Sequence, residues 1–368
     1  METTTNVKTL LVYDGKTREL YGIFLKNLLL SLVTVGIYRF WARTNMRRYV
    51  WSHMRFQGER FEYTGTGGEL FKGFLIAFAT LIGAIVVAMV LSVALTRISG
   101  NKVLGALPII ALYLAIAVLA AGAYFSAQRY RLSRTLWRGI RGGMSGSAFG
   151  YGARVLLYGL LCLVTLYQLW PWVTVRLAER RINASSFGSE PFSFKGKAGR
   201  LYGVFVLTFL GIVLLIAGMV ALFLRPILVA IATARMSGGQ DPAVVQHMLE
   251  MFALYAVLIV GIWLISCSYL AHVVRHIVGN TTLGTHLRFG SGVTAKGLLG
   301  LMLGNLAIVA VTLGFGYPIA LQRSLRYTAA TLTVQGEIDP ATILQNAGRA
   351  PRSGEGMLDL LDHGGAVL

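Results

Sequence analysis

The chain has 368 residues, of which 55% are hydrophobic and only 13% charged, with a formal net charge of +19. Soluble domains carry about 25% charged residues, so this composition excludes an ordinary soluble fold. Charge-free stretches at 73–96, 103–128, 201–224 and 251–274 each exceed the roughly 20 residues that a helix needs to cross the hydrocarbon core. They define an integral membrane protein. Its excess of Lys and Arg then reads as a positive-inside bias rather than a nucleic-acid surface. The partners this predicts are membrane lipids, anionic ones above all.

Residues 1–7 are polar, and the first apolar segment, about 20–38, carries Lys26 and Asn27. That lacks the pattern of a cleaved signal peptide, so the first membrane segments are expected to direct insertion. The segment closes on Val33-Thr34-Val35-Gly36-Ile37-Tyr38, with Arg39, Arg43, Arg47 and Arg48 behind it. Residues 56–65 then alternate aromatic and polar side chains up to Gly65, as a short β-hairpin does. The first two long stretches follow, and after them a second hairpin-like segment, Trp137-Arg138-Gly139-Ile140-Arg141.

The opening pattern returns in the segment 151–172 as Val164-Thr165-Leu166-Tyr167, with Trp170-Pro171-Trp172 just beyond. It returns again in the segment 297–320 as Val311-Thr312-Leu313-Gly314-Phe315-Gly316-Tyr317. At an offset of 131, Phe61, Tyr63 and Gly65 meet Phe192, Phe194 and Gly196; at 278, Asn27, Arg48 and Tyr49 meet Asn305, Arg326 and Tyr327. In the middle copy Tyr158 stands where the other two have asparagine. Between the second and third copies lie the other two long stretches, joined by a loop read at 225–250 with a helix starting near Asp241, and a further short segment from Asn280 to Gly284.

The fold class expected is an all-α polytopic membrane protein with internal repeats. Residues 1–335 form one membrane domain holding three repeats (about 15–73, 146–205 and 292–338), and 336–368 a mostly flexible cytoplasmic tail whose stretch 357–361 could dock. Four helices cross outright. If the three repeat segments crossed as well, seven spans would divide the basic residues almost evenly between the faces. If they are re-entrant, only Arg97, Lys102, Arg225 and Arg235 lie outside, which is the bias expected. Four spans with three re-entrant elements, over a cytoplasmic collar of short β-like hairpins, is the preferred reading; seven spans is the alternative.

These motifs resemble the YjgN-like family of bacterial inner-membrane proteins, a family without an assigned function. Gly15 with Leu20-Tyr21-Gly22, Asn27-Leu28-Leu29-Leu30, Thr34-Val35-Gly36-Ile37-Tyr38, Trp41-Ala42-Arg43, Arg47-Arg48-Tyr49 and Trp137-Arg138-Gly139-Ile140-Arg141 carry the likeness, together with the acidic ending at 354–362. The resemblance implies a multi-pass protein of the bacterial inner membrane and offers no catalytic residues to transfer.

Chemistry is sparse. None of the 15 acidic residues lies in the four long stretches, against a carboxylate proton relay. His272 and His276 share a helical face, but no third ligand is evident. Gly65-Thr66-Gly67-Gly68 and Gly142-Gly143 lack the Lys-Ser/Thr pair of a phosphate loop. Cys162 and Cys267 lie in apolar segments and indicate no disulfide. No cofactor, metal or enzymatic activity is expected. Asn27, Asn305, Thr34 and Thr312 are the candidates to line a polar cavity; inter-helix bonding is the competing role. Arg43, Arg47, Arg48, Arg138 and Arg141 are the candidates to contact lipid headgroups or a partner. The expected function is a transporter or channel-like protein for a small solute or lipid, with a non-catalytic scaffold for anionic lipids or a partner protein as the alternative.

Overall fold

The computed structural model describes residues 8–236, 242–339 and 343–346. Its elements alternate short strands with helical hairpins. Strands β1 (Lys8–Leu10) and β2 (Val12–Tyr13) lead into helices α1 (Thr17–Val33) and α2 (Arg39–Ser52), then the β-hairpin of β3 (Met54–Phe56) and β4 (Glu59–Tyr63). A long helical pair follows, α3 (Gly67–Ser99) and α4 (Lys102–Arg134), and after it β5 (Thr135–Trp137) and β6 (Ile140–Met144). The second short pair is α5 (Ala148–Val164) and α6 (Trp170–Asn183), followed by β7 (Ser185–Phe187) and β8 (Glu190–Phe194). The second long pair, α7 (Gly199–Met236) and α8 (Pro242–Gly279), precedes β9 (Thr281–Leu283) and β10 (Leu287–Ser291). The last short pair, α9 (Ala295–Val311) and α10 (Tyr317–Thr331), ends in β11 (Leu332–Gln335).

Among the described residues, four helical segments are long and apolar enough to cross a membrane: Gly67–Ser99, Lys102–Arg134, Gly199–Leu224 and Leu249–Gly279. They coincide with the four charge-free stretches. The loop read at 225–250 is corrected, because α7 runs on to Met236 and α8 begins at Pro242.

The all-α expectation is also corrected. The short hairpins join into one antiparallel sheet of eleven strands in the order β1-β11-β10-β9-β8-β7-β6-β5-β4-β3-β2. Hairpins pair with their neighbours across whole helical pairs, Phe61 facing Trp137 and Phe192 facing Leu283. Only Leu11 separates β1 from β2, so the two ends of that order are one stretch of chain and the sheet's edges are joined through it. Among the described residues, joining the edges leaves no long exposed row of unpaired backbone groups. The seam is reinforced from the last helix: buried Gln322 donates to the Gly15 carbonyl and accepts from Thr17. Tyr13, Leu20, Tyr49 and Val50 share a core there with Leu321 and Leu325.

Each helical hairpin therefore starts and ends on the same sheet, and helices adjacent in sequence pack side by side until α10 meets α1. One close crossing shows why glycine is needed. A Cβ on Gly152 of α5 would run into the Val118 carbonyl of α4, and one on Gly122 would lie 3.0 Å from the Ala148 carbonyl. Small residues let helix backbones approach this closely.

The Val-Thr signature is a helix-ending device. Thr34 Oγ1 donates to the Leu30 carbonyl (2.8 Å) and accepts from the Tyr38 amide (2.9 Å); Thr312 bonds Ile308 (2.6 Å) and Gly316 (2.6 Å) in the same way. Amides of Gly36, Tyr167 and Gly314 reach back five residues to Ser31, Cys162 and Val309, while those of Val35, Leu166 and Leu313 reach back three. This is the Schellman arrangement, which favours glycine at its left-handed position. Here Val35, Leu166 and Leu313 hold that position, at φ of 50°, 49° and 50°. Their side chains are 93%, 76% and 89% exposed.

Candidate functional site

The aromatic residues that alternate along the strands converge inside the sheet. Phe56, Trp137, Ile140, Leu283, Leu287 and Val334 are buried in one cluster, joined by Leu11, Phe61, Phe187, Phe192 and Phe289. Trp137 contacts Phe56 and Phe187 with ring centroids at 5.4 and 6.0 Å, and its indole N–H donates to the Phe56 carbonyl (3.2 Å). Ten strand positions enclose more than side chains fill; eight already leave room for a small ligand in some folds. What remains is a chamber of about 320 Å3 lined by the strand residues, with Trp51, Met54, Thr135 and Leu332 at the helix end and Ile338 among the walls. Among the described residues Thr135 is the one lining side chain with a hydroxyl; it is bound by the Trp51 indole N–H (2.7 Å) and donates to the Arg131 carbonyl (2.9 Å).

The described part of the tail lies across the turn end of the sheet. Ile338 and Ile343 are buried against the chamber cluster. The Ser189 amide donates to the Leu344 carbonyl (2.9 Å), and Gln345 donates to the Gly139 carbonyl (2.9 Å). Asn346 donates to Ser186 (2.8 Å) and to the Gly188 carbonyl (3.2 Å). The stretch 357–361, read as a docking segment, lies outside the described residues.

The residues singled out from sequence do not meet at this chamber. Asn27 is buried and donates to the Ala42 carbonyl (3.2 Å) while accepting from Asn45 (3.3 Å), so it ties α1 to α2. Asn305 ties α9 to α10 through Ser324 (2.9 Å), its Oδ1 buried without a partner among the described residues. With Thr34 and Thr312 satisfied in their own turns, Asn27 and Thr34 belong to the first short hairpin and Asn305 and Thr312 to the third. His272 bonds the Ser268 carbonyl (2.8 Å), and His276 sits 3.3 Å from Asn280.

The arginines are equally dispersed. Arg47 is only 2% exposed and bonds the Tyr63 hydroxyl (3.4 Å), which withdraws it from any headgroup. Arg43 is half-buried and engaged within the fold. Arg48 donates to the Gly65 carbonyl (2.9 Å), and Arg141 donates to the tail at Asn346 (2.8 Å). Arg138 is exposed on the β5–β6 turn over the Trp137 ring, 3.9 Å from Glu59. Elsewhere the collar neutralises its own cations, as Asp14 does for Arg55 (2.6 Å) and Arg60 (2.9 Å). The chamber residues were legible only as alternating strand positions; their convergence was not.

A family model described as a bacterial protein of unknown function (DUF898) matches residues 8–360. The chain belongs to this family. It is also similar to the inner membrane protein YjgN of Salmonella typhimurium, 25% identical over 355 residues covering 89% of each chain. The YjgN of Escherichia coli O157:H7 is 24% identical over 374 residues, 90% of each chain. The K12 protein of the same name matches at 38% over 60 residues, 16% of this chain and 15% of that one. No solved structure matches. As a DUF898 protein it is a multi-pass protein of the inner membrane, with four apolar helices to match.

Proposed function

We propose that this protein handles the apolar chain of a membrane lipid or similar amphiphile, non-enzymatically, holding it in the chamber of its cytoplasmic collar as a carrier would. The observation that supports this is the chamber's lining, with no exposed polar surface over about 320 Å3. An apolar cavity of about 150 Å3 already stays dry and admits a benzene-sized guest. A polar solute would lose its water there without replacement, at a cost of roughly 2–7 kcal/mol per unpaired group. Of the two cargoes expected from sequence, a small solute or a lipid, the lipid fits.

The arrangement that goes with this reading is four crossings and three repeated, re-entrant hairpins. Every hairpin returns to one sheet, and the short ones end in exposed apolar residues held in a strained backbone. Such strain is kept where an apolar tip in lipid outweighs it. A cysteine at Ser189 should resist a membrane-impermeant reagent in intact cells while one at Asn101 reacts, both in a Cys162- and Cys267-free background. Labelling at Ser189 from outside would restore the seven-span alternative.

The chamber is tested with the purified protein and a brominated fatty acid, which quenches indole fluorescence on contact. Trp137 and Trp51 should be quenched in the wild type, and Leu283→Trp, which fills the chamber, should abolish saturable binding. Binding unaffected by that substitution would sink the reading and return the scaffold alternative to the front.

A further inference from the structure

We propose a second site, in the α5–α6 hairpin, that takes the phosphate of an anionic lipid headgroup. It rests on the short hairpins lying at the membrane surface but is independent of the chamber. The first and third short hairpins are closed by their amides, Asn27 and Asn305. Tyr158 stands at that position in the middle one, its ring edge-on to Trp172 at 5.0 Å. Two large rings replace a compact hydrogen bond, and α5 and α6 pack more loosely than the helices of the other pairs. A cavity of about 650 Å3 opens there, bordered by Tyr158, Trp172, Arg176, Glu179, Arg180 and Asn183.

Unlike the chamber, this cavity is polar and charged. Arg176 lies over the Trp172 ring (5.9 Å) and pairs with Glu179 (2.8 Å). Arg180 has no ion pair or hydrogen bond among the described residues. Two guanidiniums against one carboxylate leave one positive charge, the complement of a phosphodiester. The order along α6 also suits a lipid. At 1.5 Å per residue, Arg180, Arg176 and Trp172 stand about 5, 10 and 16 Å from the collar end at Asn183. Spaced four apart, they share one helical face. Charge lies nearest the collar, then the aromatic ring, then the exposed apolar tip at Val164 and Leu166. That is the sequence of headgroup, interface and chain in a bilayer leaflet. A guanidinium fork matches two phosphate oxygens at once. A lipid is preferred to free phosphate because Leu157, Val164 and Trp170 leave apolar surface exposed on the same hairpin.

Native mass spectrometry of the full-length protein, given phosphatidylglycerol, phosphatidylcholine or inorganic phosphate in turn, tests this. The wild type should retain phosphatidylglycerol over phosphatidylcholine by about tenfold, as two basic groups at an anionic surface allow. Arg176→Gln with Arg180→Gln should erase that preference, while Arg288→Gln with Lys296→Gln, the same loss of two charges at exposed positions elsewhere, should not. Should the double variant fail to fold, Tyr158→Asn keeps both arginines, closes the hairpin with an amide, and should lose the preference too. An unchanged preference in these variants, an equal loss in the Arg288 and Lys296 double variant, or displacement of the lipid by inorganic phosphate would each overturn the proposal. Leu283→Trp should leave the preference intact, so failure here and failure of the chamber reading can be told apart.

Discussion

Replacing Ile343 by alanine asks how firmly the tail is seated on the collar. Ile343 is 5% exposed and packs beside Ile338 in the chamber cluster. The substitution removes three buried carbons, each worth about 0.8 kcal/mol, for a loss of about 2.4 kcal/mol. The strands beneath are held independently by their own ladder, so the loss should appear as local opening of the tail rather than global unfolding. At 1.4 kcal/mol per factor of ten, opening becomes about fiftyfold more frequent. Hydrogen exchange reads this directly. The Ser189 amide, which donates to the Leu344 carbonyl, and the Leu344 amide, which donates to Ser189 Oγ (3.2 Å), should lose protection by that factor. Amides of β10 and β11, paired with each other at Phe289 and Val334, should not change. Unaltered protection at Ser189 and Leu344, or an equal fall across β10 and β11, would refute the reasoning.

Two further outcomes follow from the same geometry. Leu313→Gly relieves a left-handed residue at the tip of the third hairpin and should stabilise the detergent-solubilised protein by about 1 kcal/mol in thermal unfolding; a destabilised variant would show that the turn carries no strain. Tyr13→Phe should be neutral or mildly stabilising near neutral pH, because the hydroxyl is buried without a partner among the described residues. Burial, with Tyr49 beside it, raises the Tyr13 pKa well above its ordinary 10. The folded chain therefore keeps this proton where the unfolded chain releases it. Stability from this group is full below about pH 10 and declines as pH rises toward the raised value. The variant's advantage should widen above pH 10 in unfolding titrations, and a constant or shrinking difference would count against the buried, unpartnered hydroxyl.

The sequence by itself determined the elements whose signals are local. Charge-free runs longer than a bilayer is thick become the four long helices whatever surrounds them. Val-Thr followed by a turn becomes a helix end, because the threonine hydroxyl bonds within four residues of itself. Alternating aromatics such as Phe56, Phe61 and Tyr63 become short strands. Only the tertiary structure decided what those strands do together. Phe61 pairs with Trp137, and Lys8 to Leu10 with β11, across separations that leave no periodic trace in the chain. The chamber arises from that closure. Arg47 is buried against Tyr63 of the following hairpin, although by sequence alone it belongs with its exposed neighbour Arg48. The groove at Tyr158 shows the same division: the departure from asparagine is legible in the sequence. That two aromatic rings in its place hold a hairpin open beside Arg176 and Arg180 is a matter of packing, which depends on volumes meeting in space.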